Sequence, residues 1–304
     1  MNDLKDLRPL KVKEFFRIQS PIELLGALGY YGIGAGIAYF VGTRINPTTL
    51  ILGLLIGWCM QLAMSFLVSY FSLLITPANS DDEDRWGLSP AIPKQTVLIF
   101  ALVSLTMSAA LTILLAIIGG VPLAGWLILL VGFTLILANA VPPLSLVRNG
   151  FGEVTQAIFL VVLIPALGLV IQIGELNNLL GLITFPLFLL AISSAIALCF
   201  ERYAADLTHH RKTFLTLIGW QQGVNLHTIL VLLAYLVFGL VGFLGLSTRL
   251  VFAALLSLPV GLFQIWLILR IADGNKPAWR MLRFVALALP LVTAYLLLLT
   301  LWIG

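Results

Sequence analysis

Nine apolar runs divide the sequence, and they constrain the fold more than any other feature. Each run approaches the roughly 20 residues that an α-helix needs to cross the hydrocarbon core of a bilayer. Only helices and closed barrels satisfy their backbone hydrogen bonds within lipid, and runs of this length indicate helices. The predicted spans are residues 22–42, 48–76, 94–118, 122–142, 152–173, 178–200, 224–246, 249–271 and 281–303.

The composition agrees with a chain that is solvated mainly by lipid. Hydrophobic residues make up 61% of the 304 residues and charged residues only 10%, whereas soluble domains carry about 25% charged residues. The net charge of +4 therefore does not indicate a nucleic-acid partner. We expect an all-α, multi-pass protein of the cell membrane, surrounded by membrane lipids. The polar first 21 residues lack the apolar core of a signal peptide and are predicted to form a cytoplasmic segment.

The distribution of basic residues predicts the orientation of the bundle. Of the 17 lysines and arginines, all but Arg44 and Arg249 fall on the side of the N-terminus when the nine spans alternate in direction. Basic residues concentrate in the cytoplasmic links of membrane proteins. The N-terminus is therefore predicted to be cytoplasmic. The two longer and more polar links, residues 77–93 and 201–223, are expected on the same face.

Four stretches of sequence lie next to the predicted spans and contain recognisable motifs. Two of them are PPLSLVRNGFGEV (residues 142–154) and FERYAADLTHHRKTFLTLIG (residues 200–219). The first resembles the loop after the fourth helix in the UbiA superfamily of membrane prenyltransferases, and the second resembles the second aspartate motif and trailing basic run of that family. RIQSP (residues 17–21) and RWGLSP (residues 85–90) resemble two shorter elements. The resemblance covers nearly the whole chain, and it implies one nine-helix UbiA-type domain over residues 1–304.

The resemblance also implies a chemistry. Members of the family hold Mg²⁺ with two aspartate-rich motifs, the metal binds a prenyl diphosphate, and its ionisation gives an allylic cation that alkylates an aromatic or lipid acceptor. This chain departs from both motifs. Ser69 and Ser72 stand where the first motif has acids, and neutral hydroxyls are poor ligands for Mg²⁺. In the second motif Arg202 replaces the first aspartate, and Asp206 keeps the second.

The altered motifs predict a different set of contacts for the head group. A guanidinium binds phosphate oxygens in a bidentate manner without a metal. In a reaction, Arg202, Arg211 and Lys212 are expected to stabilise the departing diphosphate, and Asp206 to help hold one Mg²⁺. The remaining candidates are the substrate-binding residues Ser69, Tyr70, Ser72, Arg148 and Tyr203, and the further metal ligands Asp81, Asp82 and Asp84.

Three functions remain open from the sequence. The first is a prenyltransferase that retains catalysis through altered electrostatics. The second is a non-catalytic relative that binds an isoprenoid, a quinone or another lipid, because both aspartate motifs are damaged together. The third is a small-molecule transporter, which neither a charge at the centre of a span nor an internal repeat supports.

Overall fold

The computed structural model describes residue 15 and residues 18–75 and 93–303, except for the side chains of residues 74 and 75. All regular structure in these ranges is helical, which confirms the all-α prediction. The helices are α1 (Pro21–Phe40), α2 (Pro47–Ile75), α3 (Lys94–Ile118), α4 (Leu123–Ala140), α5 (Gly152–Ile173), α6 (Asn178–Phe200), α7 (Tyr203–Thr208), α8 (Phe214–Ile218), α9 (Trp220–Val241), α10 (Thr248–Leu255), α11 (Leu258–Ala272) and α12 (Trp279–Ile303).

The long helices follow the predicted spans closely. Within the described residues, 8 helical segments are long and apolar enough to cross a bilayer, and α10 and α11 form one of them, Thr248–Ala272. The remaining predicted span, residues 22–42, corresponds to α1, in which five glycines and three tyrosines lower the mean hydropathy. The largest difference is at α9, which extends from Trp220 to Val241, whereas the predicted span covers residues 224–246. The orientation of the N-terminus stays a prediction.

Large apolar side chains lie on the outside of the bundle as well as in its core. Ile117 is 76% exposed and Phe243 is 89% exposed, and exposed leucines, valines and isoleucines run along most of the long helices. A surface of this kind is stable against hydrocarbon and not against water. The chain is therefore a multi-pass membrane protein.

The polar link after α6 folds into a compact structure of its own. The sequence predicts a long polar link over residues 201–223, and the structure places α7, α8 and the first turn of α9 there. Thr213 begins α8 with a capping box, in which its backbone N–H donates to Thr216 Oγ1 (2.8 Å) and Thr216 N–H donates to Thr213 Oγ1 (3.2 Å). The other predicted polar link, residues 77–93, lies outside the described residues except for Pro93.

Helices α1 and α5 approach each other through small residues. A Cβ on Gly34 would collide with the carbonyl oxygen of Pro165, and a Cβ on Gly168 would lie 2.6 Å from the carbonyl oxygen of Tyr31. Close backbone packing of this kind is a main source of helix association in lipid. Helix α5 also contains a π-helical turn over Ile158–Leu163, directly before this contact.

A buried hydrogen-bonded network joins α9, the α10–α11 junction and α12. Thr293 Oγ1 lies 2.7 Å from Ser257 Oγ, and Ser257 Oγ lies 2.9 Å from the hydroxyl of Tyr235. Ser257 and Thr293 are fully buried, and Tyr235 is nearly so. The network therefore links three parts of the bundle that are distant in sequence.

Replacing Thr293 with valine is expected to lower the unfolding free energy by about 0.6 kcal/mol, which is the average for one interhelical hydrogen bond in a membrane protein. Valine keeps the shape of threonine and removes only the hydroxyl. Thermal unfolding in detergent measures the change. Thr300→Val is the matched control, because its hydroxyl donates to Leu296 O of the same helix. Equal losses in the two variants would contradict a stabilising role for the network.

Candidate functional site

A cavity of about 520 Å³ opens at the end of the bundle where α1, α5 and α12 begin and where α2, α4 and α6 end. According to the predicted orientation, this end is the cytoplasmic one. Most of the wall is apolar, with side chains such as Met64, Val68, Leu160, Leu198 and Leu287. Polar residues form two layers in the same wall. The cavity therefore fits an amphiphile with a long apolar part.

The outer polar layer comes from the segment that joins α6 to α8. Arg202 precedes α7, and Asp206 lies one turn later, with its N–H donating to the carbonyl of Arg202 (2.8 Å). His210 has a positive φ of 53°, which ends α7 with a sharp turn. The chain folds back at this turn, and the N–H of Arg211 donates a hydrogen bond to the carbonyl of Asp206 (2.8 Å). Arg202, Asp206 and Arg211 thus line the same cavity.

Asp206 and Arg211 form an ion pair at the cavity wall. Nη1 of Arg211 lies 3.8 Å from Oδ1 of Asp206, and Asp206 is only 5% exposed. Burial raises the pKa of the Asp206 carboxyl above its ordinary value, and the charges of Arg211, Arg202 and His209 partly oppose the rise. The carboxylate is therefore costly to keep ionised, and Arg211 is its nearest compensating charge.

Glu153 connects the outer layer to the body of the bundle. It lies in the first turn of α5, and its Oε2 accepts a hydrogen bond from the N–H of Phe214 at the start of α8 (3.3 Å). Its Oε1 accepts a weak hydrogen bond from Sγ of Cys199 in α6 (3.5 Å). These contacts hold the segment with Arg211 against α5 and α6.

The inner polar layer lies about one helical turn deeper, at Gln156 of α5. Oε2 of Glu23 accepts hydrogen bonds from Nε2 of Gln61 (2.9 Å) and from Nε2 of Gln156 (3.4 Å). Asn139 also lines the cavity, and its Oδ1 accepts a hydrogen bond from Oγ1 of Thr155 (2.7 Å). Three helices, α1, α2 and α5, thus meet at one carboxylate.

The structure brings four of the candidates from the sequence together at the cavity wall, namely Ser69, Arg202, Asp206 and Arg211. The other described candidates are not part of that wall. Lys212 is exposed. The ring of Tyr70 packs on Phe71, and the ring of Tyr203 packs on Trp220. The other two candidates outside the cavity wall are Ser72 and Arg148. Asp81, Asp82 and Asp84 lie outside the described residues.

The described residues alone do not fit a Mg²⁺ site. Among them, no group of three or more His, Cys, Asp or Glu side chains is close enough to hold a metal. Ser69 lines the cavity with a neutral hydroxyl, and Ser72 donates its hydroxyl to the carbonyl of Val68 (2.7 Å). Mg²⁺ prefers charged oxygen ligands in an octahedral arrangement, and Asp206 is paired with a guanidinium.

Sequence reasoning missed the inner layer and Glu153 as site residues. A signal was present, because Glu23 is the one charged residue in the first predicted span and Gln61 the one amide in the second. Polar side chains within membrane helices generally face the interior of a bundle or a cavity. That rule selects Glu23 and Gln61 as candidates, although it does not show that they meet.

Known protein structures share the fold of this chain. A UbiA homologue from Archaeoglobus fulgidus bound to GPP and Mg²⁺ superposes with a TM-score of 0.66 at 16% identity, covering 93% of this chain and 99% of that one. The same homologue bound to DMAPP and Mg²⁺ gives 0.59 at 15% identity, with the same coverage. Digeranylgeranylglyceryl phosphate synthase gives 0.64 at 16% identity, covering 100% of this chain and 99% of that one. The curated protein sequences contain no match.

These structural matches show the fold, since their sequence identities are low. The family follows from the sequence itself. The family model of the UbiA prenyltransferase family matches residues 30–302, which include most of the cavity wall and all of the outer polar layer. The chain therefore belongs to the UbiA prenyltransferase family.

Proposed function

We propose that this protein binds a prenyl diphosphate in the cavity, with the diphosphate at Arg202 and Arg211 and the prenyl chain along the apolar wall. The observation that carries the proposal is the pair of guanidinium groups at the entrance of a cavity whose wall is mostly apolar. Arginine recognises phosphate oxygens through planar, charge-assisted hydrogen bonds. GPP and DMAPP, the ligands of the related structures, have a diphosphate head and an apolar tail of this kind.

Transfer of the prenyl group is the reaction that family membership suggests. It requires the bond between the allylic carbon and the diphosphate oxygen to break, with the electron pair leaving on the diphosphate. Cationic side chains at the cavity entrance would stabilise that developing charge. Arg202 and Arg211 are the described residues in that position.

A second candidate function is non-catalytic binding of an isoprenoid lipid. Ser69 and Ser72 favour it, because neither supplies the charge that the corresponding acids supply in the family. Incubation of the protein with GPP and an acceptor separates the two functions through the release of inorganic diphosphate. Release above the rate without protein supports transfer, and binding without release supports the second function.

Isothermal titration of GPP into the purified protein in detergent tests binding directly, once with Mg²⁺ and once with EDTA. We expect saturable binding at one site, and the absence of binding under both conditions would overturn the proposal. Binding in EDTA would indicate that the arginines suffice. Binding that needs Mg²⁺ would indicate a metal site completed by acids outside the described residues, such as Asp81, Asp82 and Asp84.

Replacing Asp206 with asparagine distinguishes these two modes. In EDTA we expect GPP to bind about three- to tenfold more tightly, because the variant no longer repels the diphosphate or competes for Arg211. The matched control is Asp273→Asn, which removes an exposed acid away from the cavity wall. A loss of affinity confined to the Mg²⁺ titration would instead assign Asp206 to a metal.

A further inference from the structure

The binding of a diphosphate does not explain why the cavity has an inner polar layer. A carboxylate repels a diphosphate, yet Glu23 lines the same cavity about one helical turn deeper than Glu153. An apolar prenyl chain gains nothing from a carboxylate. The layer therefore needs another explanation.

The geometry of Glu23 shows one oxygen engaged and one available. The amide groups of Gln61 and Gln156 both donate to Oε2 of Glu23, at 2.9 Å and 3.4 Å. Within the described residues, Oε1 of Glu23 accepts no hydrogen bond. The two glutamines thus fix the plane of the carboxylate from two different helices, α2 and α5, and leave its second oxygen free to accept.

Gln61 belongs to the buried support of Glu23 and not to the cavity wall. Gln61 is fully buried, and its Oε1 has no hydrogen-bond partner among the described residues, while its Nε2 is held by Glu23. The group that Glu23 offers to the cavity is therefore an acceptor, Oε1, and a ligand that binds there must donate a hydrogen bond.

The surroundings restrict the size and polarity of that donor. Gly26 and Tyr30 of α1, Met64 of α2 and Leu291 of α12 line the cavity near Glu23, and they offer mainly apolar surface. A small polar head group can therefore approach Glu23 only if it is part of an amphiphilic or aromatic molecule. A head group that carries its own carboxylate would face the Glu23 carboxylate in a site of low dielectric, so that one of the two acids would have to take up a proton before both fit.

We infer that Glu23, oriented by Gln61 and Gln156, is the recognition site for the head group of a second ligand, an uncharged or cationic amphiphile that donates an O–H or N–H hydrogen bond. This inference rests on the proposed function, because it names the partner that shares the cavity with the prenyl diphosphate. In a transferase that ligand is the acceptor of the prenyl group, so acceptors bearing an ionised carboxylate at this position are disfavoured.

Matched amphiphilic probes test the inference without knowledge of the natural ligand. The probes are 2-decyl-1,4-dihydroxybenzene, its dimethyl ether and 4-decylbenzoate, titrated into the wild-type protein in detergent. We expect the dihydroxy compound to bind at least about tenfold more tightly than the ether, because the ether lacks the donors, and the benzoate to bind more weakly still. Equal affinities for the first two probes, or no binding of the dihydroxy compound, would overturn the inference.

The variants Glu23→Gln and Glu23→Leu connect the preference to this carboxylate. We expect the preference for the dihydroxy compound over its ether to fall to about twofold or less in both variants. Glu23→Gln preserves the volume of the side chain, so the test holds even if Glu23→Leu fails to fold. Glu175→Gln, which neutralises an exposed acid at the opposite end of α5, is the control and should keep the preference. A preference that persists in Glu23→Gln would contradict the assignment.

A parallel titration of GPP into the wild-type protein separates failure of the inference from failure of the proposed function. If GPP binds and the probes show no donor preference, the inference alone is wrong. If the probes show the preference and GPP does not bind, the proposed function is wrong, and Glu23 serves a ligand other than a prenyl acceptor.

Discussion

Replacing Arg211 with methionine is expected to weaken the binding of GPP by about tenfold to a hundredfold. The side chain lines the cavity, its guanidinium lies 3.8 Å from the carboxylate of Asp206, and it is mostly buried. Hydrogen bonds to charged groups contribute about 1.5–3 kcal/mol each, which corresponds to this range of affinity. Methionine retains most of the length and the apolar stem of arginine. Calorimetric titration at physiological ionic strength measures the loss.

The neighbouring variant Lys212→Met is the matched control for that measurement. It removes the same formal charge one residue further along the chain, but Lys212 is exposed and is not part of the cavity wall. We expect it to change the affinity for GPP by no more than about threefold, because exposed charges are strongly screened. Equal losses in the two variants would mean that the basic run acts only through its net charge.

Replacing Gly34 with alanine is expected to destabilise the bundle by at least about 1–3 kcal/mol, the usual cost of an overpacked core. The new methyl group would collide with the carbonyl of Pro165 in the backbone of α5, which cannot move aside as a flexible side chain can. We expect a clear fall in the thermal unfolding temperature in detergent, together with a lower yield of folded protein.

Gly29→Ala tests whether this effect comes from the contact between α1 and α5. Gly29 lies in the same helix, and a Cβ on it would have no neighbour within 4 Å. Alanine is the better helix former by up to about 1 kcal/mol. We therefore expect this control to be neutral or slightly stabilising. A similar loss in both variants would indicate a general sensitivity of α1 and not a collision at Gly34.

The sequence was sufficient to predict the helices because nearly every residue of a membrane-spanning helix is apolar. Both ends of α3, α5 and α6 match the predicted spans, and the ends of the other long helices lie within a few residues of the predicted ones. Trp220 shows why α9 was misplaced. The glutamines that follow it lower the local hydropathy, while Gly219, with a φ of 85°, ends α8 and allows the new helix to begin.

The outer part of the site was predictable because its residues lie close together in the chain. Arg202, Asp206 and Arg211 fall in one stretch of ten residues, and the resemblance to the family identified that stretch. The inner layer was not predictable in the same way. Gln61 and Gln156 lie 38 and 133 residues from Glu23, and only the packing of α1 against α2 and α5 brings them together.

The π-helical turn in α5 lies between two parts of the helix that have different functions. Beyond the turn, Pro165 and Gly168 fix α5 against α1, and before it Glu153 and Gln156 line the cavity. A π turn accommodates one extra residue, and each residue of an α-helix accounts for a rotation of about 100°. Gain or loss of a single residue in the π turn would rotate Glu153 and Gln156 about the helix axis, while the contact of Pro165 and Gly168 with α1 stayed the same. Relatives of this protein could thus acquire new head-group specificity through one insertion or deletion, without rebuilding the bundle.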